Sequence, residues 1–195
     1  MLPLSQEIID RFNKAMHAAR LAGEPEPTAM VLASSDGHGL VTSRTVLLKS
    51  LDENGFVFFT NTLSSKGKQF EASPGAAATF LWKSIENQVQ LVGRVRRVSE
   101  AEADAYFSTR DRGSQIGAWA SLQSQVLDSR ETLEQRVREY EEKFAGQEVA
   151  RPTYWSGYRL QPDTVEFWQG RAFRLHDRVR YRVADGHWQT QRLYP

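Results

Sequence analysis

The chain has 195 residues, of which 40% are apolar and 25% charged, with a formal net charge of +1. That is the make-up of an ordinary soluble globule long enough to bury one real core, and it argues against a general nucleic-acid surface. Cysteine is absent, which excludes disulfides, thiolate catalysis, iron-sulfur clusters and cysteine-ligated zinc together.

His17, His38, His176 and His187 are scattered without ligand spacing, so no metal is expected. No apolar run approaches the ~18 residues that would make a membrane span. The start, Met1 to Glu7, has neither the basic residues nor the apolar run of a secretory signal, so a cytoplasmic location is expected. No repeat, low-complexity tract or linker divides the chain, and one domain over residues 1–195 is expected.

From Ser5 to about Leu21, Ile8, Ile9, Phe12, Ala15, Met16 and Ala19 recur at helical spacing, which predicts an amphipathic helix ended by Gly23, Pro25 and Pro27. Ala29–Ala33 and Leu40–Leu51 read as a hairpin around Ser34–Gly39. Asp52–Gly55 is a turn, and Phe56–Thr60 a third strand.

Ser64 is a suitable N-cap for a short helix before Pro74. Its first turn is basic, which opposes the helix dipole, so Lys66 reads either as part of an anion site or as a solvated turn. Ala76–Trp82 and Gln88–Val98 are two more strands, the second alternating with Val89, Leu91, Gly93 and Val95 on one face. Ser99-Glu100-Ala101-Glu102 spells a capping box for a helix to about Thr109, followed by a basic linker over Arg110–Ser114.

Gln115–Gln125 is rich in small and amide side chains that can approach a ligand closely. Asp128–Phe144 reads as a helix with Leu133, Val137, Tyr140 and Phe144 in a packing stripe. Tyr154–Leu160, a turn at Gln161–Asp163, Val165–Gln169, Phe173–Val183 and His187–Leu193 complete a β-rich C-terminal region, about 154–195. Short strands with few helices predict a mostly β (α+β) antiparallel barrel decorated by helices.

In the stretch from Phe173 to Val183, read as one strand, Arg174, His176, Arg178, Arg180 and Arg182 share a face. Such a row of cations suits an anion, a carboxylate set or a ring, or else a solvated sheet face. Trp168 nearby suits a planar ligand.

Neither a Walker loop nor a Rossmann glycine fingerprint is present. A serine-histidine-aspartate site through His176 and Asp177 fails because strand neighbours point oppositely. Glu166 and Asp163 lack the partner spacing that would single out a glycosidase pair. What is left is a dispersed set of cations and amides, Arg44, Lys49, Lys66, Gln88, Arg110, Gln123, Arg174, His176 and Arg178, which with Trp168 would suit an aromatic cofactor bearing a phosphate.

At these residues the sequence resembles the pyridoxine (pyridoxamine) 5'-phosphate oxidases. The matching stretches are Arg44–Lys49, Phe59–Asn61 with Ser64–Gly67, Ser114–Trp119 with Gln123-Ser124, and Glu166–Trp168 with Arg174–Arg178, in the family's order and spacing. The resemblance implies an FMN-binding split barrel and a homodimer with two flavins at its interface, acting on pyridoxine or pyridoxamine 5'-phosphate and O2.

It implies a flavin cradle of Arg44, Thr45, Val46, Leu47, Leu48, Lys49, Phe59, Thr60, Ser65, Lys66, Gln88, Gln123, Ser124, Trp168 and Arg178. The implied substrate residues are Lys49, Tyr106, Arg110, Ser114, Arg174, Leu175 and His176, with Arg174 and His176 beside the reacting ring. Ser65, Asn87 and Phe59 depart from residues frequent in the family, and the N-terminus lacks a basic-aromatic segment that some relatives fold over substrate. The alternatives are a related flavin oxidase of the phenazine type and a non-catalytic module binding FMN or pyridoxal phosphate.

Overall fold

The computed structural model describes residues 2–195. Helix α1 (Gln6–Leu21) starts on Ser5, whose side chain accepts from Ile8 N–H, and buries Ile8, Phe12 and Ala19. Then come β1 (Ala29–Ser35), β2 (Val41–Leu47), β3 (Ser50–Asp52) and β4 (Gly55–Asn61), followed by α2 (Ser65–Ala72), β5 (Gly75–Trp82) and β6 (Asn87–Arg97). Helices α3 (Glu100–Ser108), α4 (Arg112–Ala120) and α5 (Arg130–Lys143) precede β7 (Trp155–Gln169), β8 (Asp177–Ala184) and β9 (His187–Leu193).

All strand pairs are antiparallel, in the order β2-β1-β5-β6-β7-β4-β3, with β8 and β9 branching from the far half of β7. Leu48 and Lys49 alone separate β2 from β3, the strands at the two ends of that order. Three Cα–Cα steps from Leu47 to Ser50 reach no more than about 11 Å, so the two edge strands are brought together there and the sheet curls into the split barrel. Its interior holds Met30, Leu32, Phe56, Phe58, Phe80, Leu91 and Leu160. α1 packs into this interior: the Phe12 ring lies 5.0 Å from both Phe56 and Phe80, with edge-on geometry.

Four local expectations are corrected. The strand over Leu40–Leu51 is two strands, because the chain turns the barrel corner at Leu48 and Lys49. Gln161–Asp163 is a bulge inside the continuous β7, where the pairing shifts between Val92 and Gly93 and the side of β7 skips a residue. Gly93 allows this, since a Cβ there would run into the Gln161 carbonyl. The supposed linker at Arg110–Ser114 begins α4, capped by Asp111 accepting from Ser114 N–H at 2.8 Å.

Finally, β8 starts at Asp177 and not at Phe173. Phe173 and Arg174 have φ of 57° and 62°, a left-handed pair in a short 3-10 turn, so Arg174 and His176 sit on a loop and not on the strand face.

Candidate active site

A cavity of about 920 Å³ opens where β2, β4, α2, α3 and α4 meet. Its wall gathers cations from four segments: Arg44, Lys49, Lys66 and Arg110. The carboxylate beside them, Asp111, is taken up as the α4 cap.

Lys66 lies in the first turn of α2 and is 7% exposed. Its Nζ donates to Thr60 Oγ1 (2.9 Å), Ser64 Oγ (3.2 Å) and Gln123 Oε1 (2.8 Å), all neutral acceptors. Burial first, and then the nearby Arg44 charge, pull its pKa from the ordinary 10.5 down to about 8. Of the two readings of the basic first turn, burial therefore removes the solvated one. Gly67 lets the helix sit this deep: a Cβ would overlap the Thr62 backbone.

Arg44 on β2 donates through Nη1 to Leu32 O (3.2 Å) and Ser34 Oγ (2.5 Å), and through Nη2 to Thr42 Oγ1 (2.7 Å) and Gln69 Oε1 (3.1 Å). No carboxylate is among them, and burial lowers the pKa of the guanidinium. Two cations held only by neutral oxygens, with no carboxylate among their hydrogen-bond partners, leave charge that an anion could meet.

At the other end of the cavity, Phe59 and Tyr106 stack at 4.0 Å and Phe59 and Trp155 at 5.3 Å, and the Arg110 guanidinium lies 4.7 Å over Trp155. Arg110 Nη1 is buried without a hydrogen-bond partner, and burial lowers the group's pKa. A second anion can be met there. Thr45, Val46, Leu47, Ser65, Ser114 and Ser124 also line the cavity, with Ser124 at φ 71°. Leu48 is instead 5% exposed and packed in the barrel core, so its side chain faces away.

The remaining expected residues lie elsewhere on the chain. Gln88, Trp168 and Arg178 form one cross-strand row over β6, β7 and β8, and the His176 ring is 4.5 Å from Trp168. Trp168 lines a different cavity, with Arg11, Lys14 and Arg192. Arg178 is not a free cation: its Nε donates to the buried Glu166 at 2.7 Å, which raises its pKa, and Nη1 to Tyr194 O at 3.0 Å. Arg174 and Leu175 project from the exposed loop, where Leu175 is 67% and Phe173 93% exposed.

Sequence reasoning missed Thr109 and Trp155, which also line the first cavity, and the Ser34, Thr42 and Gln69 oxygens behind Arg44, while Asn61 and Ser121 fell within quoted stretches without being named as site residues. One signal was available. Ser114, Gly117, Ala118 and Ser121 recur at helical spacing, a face of small side chains that α4 turns to the cavity.

The protein is a split barrel with a cation-lined cavity and a second aromatic-cationic cluster elsewhere on the chain. The chain belongs to the pyridoxamine 5'-phosphate oxidase family: the family description "Pyridoxamine 5'-phosphate oxidase" matches residues 16–144. The description "Pyridoxine 5'-phosphate oxidase C-terminal dimerisation region" matches residues 155–195.

The chain is 53% identical over 187 residues to the pyridoxine/pyridoxamine 5'-phosphate oxidase of Myxococcus xanthus strain DK1622, covering 96% of this chain and 91% of the relative. It is 50% identical to the enzyme of the same name from Rubrobacter xylanophilus, covering 96% and 86%. Among solved structures, PhzG from Burkholderia lata 383, in complex with tetrahydrophenazine-1-carboxylic acid, superposes with a TM-score of 0.91 at 30% identity, covering 96% and 92%. A pyridoxamine 5'-phosphate oxidase-related, FMN binding protein from Nostoc punctiforme, at 15% identity and a TM-score of 0.73 over 98% and 99%, shares the fold.

Proposed function

We propose that this chain is a pyridoxine/pyridoxamine 5'-phosphate oxidase, a homodimeric oxidoreductase that uses FMN and O2 to make pyridoxal 5'-phosphate. One observation carries the reading: a single cavity is lined by Arg44, Lys49, Lys66 and Arg110, with Arg44 and Lys66 held by neutral oxygens and a buried Arg110 Nη1 left without a hydrogen-bond partner. A phosphorylated cofactor and a phosphorylated substrate bound together would need such a pair of sites.

The residues present fit FMN. Arg44 and Lys66 would take its phosphate, with Ser65, Gln123 and Ser124 around the ribityl chain. When bound, a flavin supplies the redox chemistry, taking a hydride equivalent from the substrate C4' carbon and passing the electrons to O2, which leaves as hydrogen peroxide. For the amine substrate the product of that step would be an imine, which water hydrolyses to the aldehyde and ammonia.

The protein's share is positioning. Arg110, Lys49, Tyr106 and Ser114 would fix the substrate phosphate, and the stacked Phe59, Tyr106 and Trp155 hold that wall rigid. Arg174 and His176 would bracket the substrate ring. His176 Nδ1 accepts from the Arg171 N–H at 3.2 Å, so a neutral ring carries its proton on Nε2 and presents a donor.

The cluster of Gln88, Trp168, Arg174, His176 and Arg178 does not share the anion cavity of its own chain, so the reading assigns it to the cavity of a second copy. Phe173 and Leu175 on that loop, and Val31, Leu81 and Val92 on the outer sheet face, each 49% exposed or more, would then be covered. The relation between Arg178 and Glu166 means that Arg178 would meet the flavin as half of an ion pair.

The purified protein is expected to show flavin absorption near one per chain, and to form aldehyde and peroxide from pyridoxine 5'-phosphate in air. Failure to form either product with flavin bound refutes the oxidase reading. The PhzG likeness favours a second reading, oxidation of a reduced phenazine carboxylate. Turnover of such a substrate in preference to pyridoxine 5'-phosphate would establish it.

A further inference from the structure

Arg44 uses all four of its Nη hydrogens on neutral oxygens, Leu32 O, Ser34 Oγ, Thr42 Oγ1 and Gln69 Oε1. The guanidinium and two of the hydroxyls it donates to converge on one amide. Gln69 Oε1 accepts from Ser34 Oγ at 2.6 Å, from Thr42 Oγ1 at 3.1 Å and from Arg44 Nη2 at 3.1 Å. Because an arginine can only donate, the amide must present its oxygen here, which fixes its orientation. Gln69 is 8% exposed and lies three residues after Lys66 on the same buried face of α2.

We propose that Gln69 is the positioning residue that holds Arg44 in the anion site while leaving its charge uncancelled. A carboxylate at this position would hold the guanidinium equally well but neutralise it. A glutamine carbonyl gives the same geometry with no net charge, so the cation is both fixed and available to an anion. The guanidinium charge then stays uncancelled on the cavity wall that Arg44 shares with Lys66. Gln123 plays the matching part for Lys66, but from a loop that itself lines the cavity, whereas Gln69 acts only through Arg44.

The inference rests on the FMN reading, and its test keeps the two apart. Flavin-free protein is titrated with FMN and with riboflavin, which lacks the phosphate, following flavin fluorescence. Wild type is expected to prefer FMN; equal affinities would overturn the cofactor reading together with the role of Gln69. Given that preference, Gln69→Glu is expected to lower the FMN-to-riboflavin affinity ratio by about tenfold or more, because a new charge sits against Arg44.

Riboflavin affinity and the melting temperature of the apo-protein distinguish a damaged fold from a cancelled charge: a merely structural role would lower both flavins' affinities together. Gln69→Met keeps the bulk without a charge, and is expected to lower the ratio by a smaller factor, since Arg44 loses one tether but keeps its charge. A wild-type ratio in Gln69→Glu, or in Gln69→Met if the first variant does not fold, overturns the proposal.

Discussion

Lys66 allows the anion site to be tested by pH alone. Its ammonium is buried with no counter-ion, and its pKa stands at about 8 where the unfolded chain has 10.5. At about 1.4 kcal/mol per tenfold, that gap corresponds to about 3 kcal/mol of unfavourable charge burial in the ligand-free protein. Between pH 8 and 10.5 the folded apo-protein binds fewer protons than the unfolded chain, so this group's contribution to stability rises with pH across that window.

An anion at Lys66 reverses the effect, because it favours the protonated form. From about pH 7 to 9 the protonated fraction in the apo-protein falls from roughly nine-tenths to roughly one-tenth, so FMN affinity is expected to fall about tenfold. Riboflavin, with no phosphate, should show no such trend. The assay is a fluorescence titration of both flavins on apo-protein over that range. Lys66→Met should bind FMN about ten- to a hundredfold more weakly and lose the pH dependence. An FMN affinity that stays flat, or that falls in parallel with riboflavin, refutes the assignment.

Arg174→Leu is expected to keep its flavin spectrum and lose most of kcat, since the loop that carries it is apart from the Lys66 site; loss of bound flavin contradicts this. For Arg110→Ala the expected change is a rise in KM of at least about tenfold with kcat little altered, as for a contact made equally in ground and transition states, and an unchanged KM counts against it. Gly67→Ala pushes a Cβ into the Thr62 backbone, so α2 must back out of the site. It should cost about 1–3 kcal/mol in chemical denaturation and weaken FMN binding at once, and a neutral result would show that the helix seat is softer than its packing indicates.

Elements with their own local signal were legible in the sequence. Ser64 and Ser99 cap their helices as read, and the alternation of Val89, Leu91 and Val95 marked the buried face of β6. α4 was not read as a helix because Gly113, Gly117 and Ser114 weaken its propensity; what fixes it is the Asp111 cap and the burial of Ile116. Pro162 has the same local appearance in a turn and in a bulge, and only the partner strand distinguishes them.

The left-handed pair at Phe173 and Arg174 broke the strand that periodicity extended too far. The site divided in the same way. The family resemblance named the residues proposed to meet a ligand, but Gln69 reaches Ser34 across 35 positions, a tertiary contact with no local trace.

The separation between the Lys66 cavity and the Arg174 loop makes each proposed active centre a product of two polypeptides. Lys66→Met and Arg174→Leu then damage different contributions to it. When the two impaired homodimers exchange subunits at random, about half the dimers are mixed, and each mixed dimer carries one centre with both lesions and one with neither. At an FMN concentration too low to load the Lys66→Met site, the mixture should rise to about a quarter of full activity, whereas with a centre contained within one chain it would show only the average of the two impaired activities.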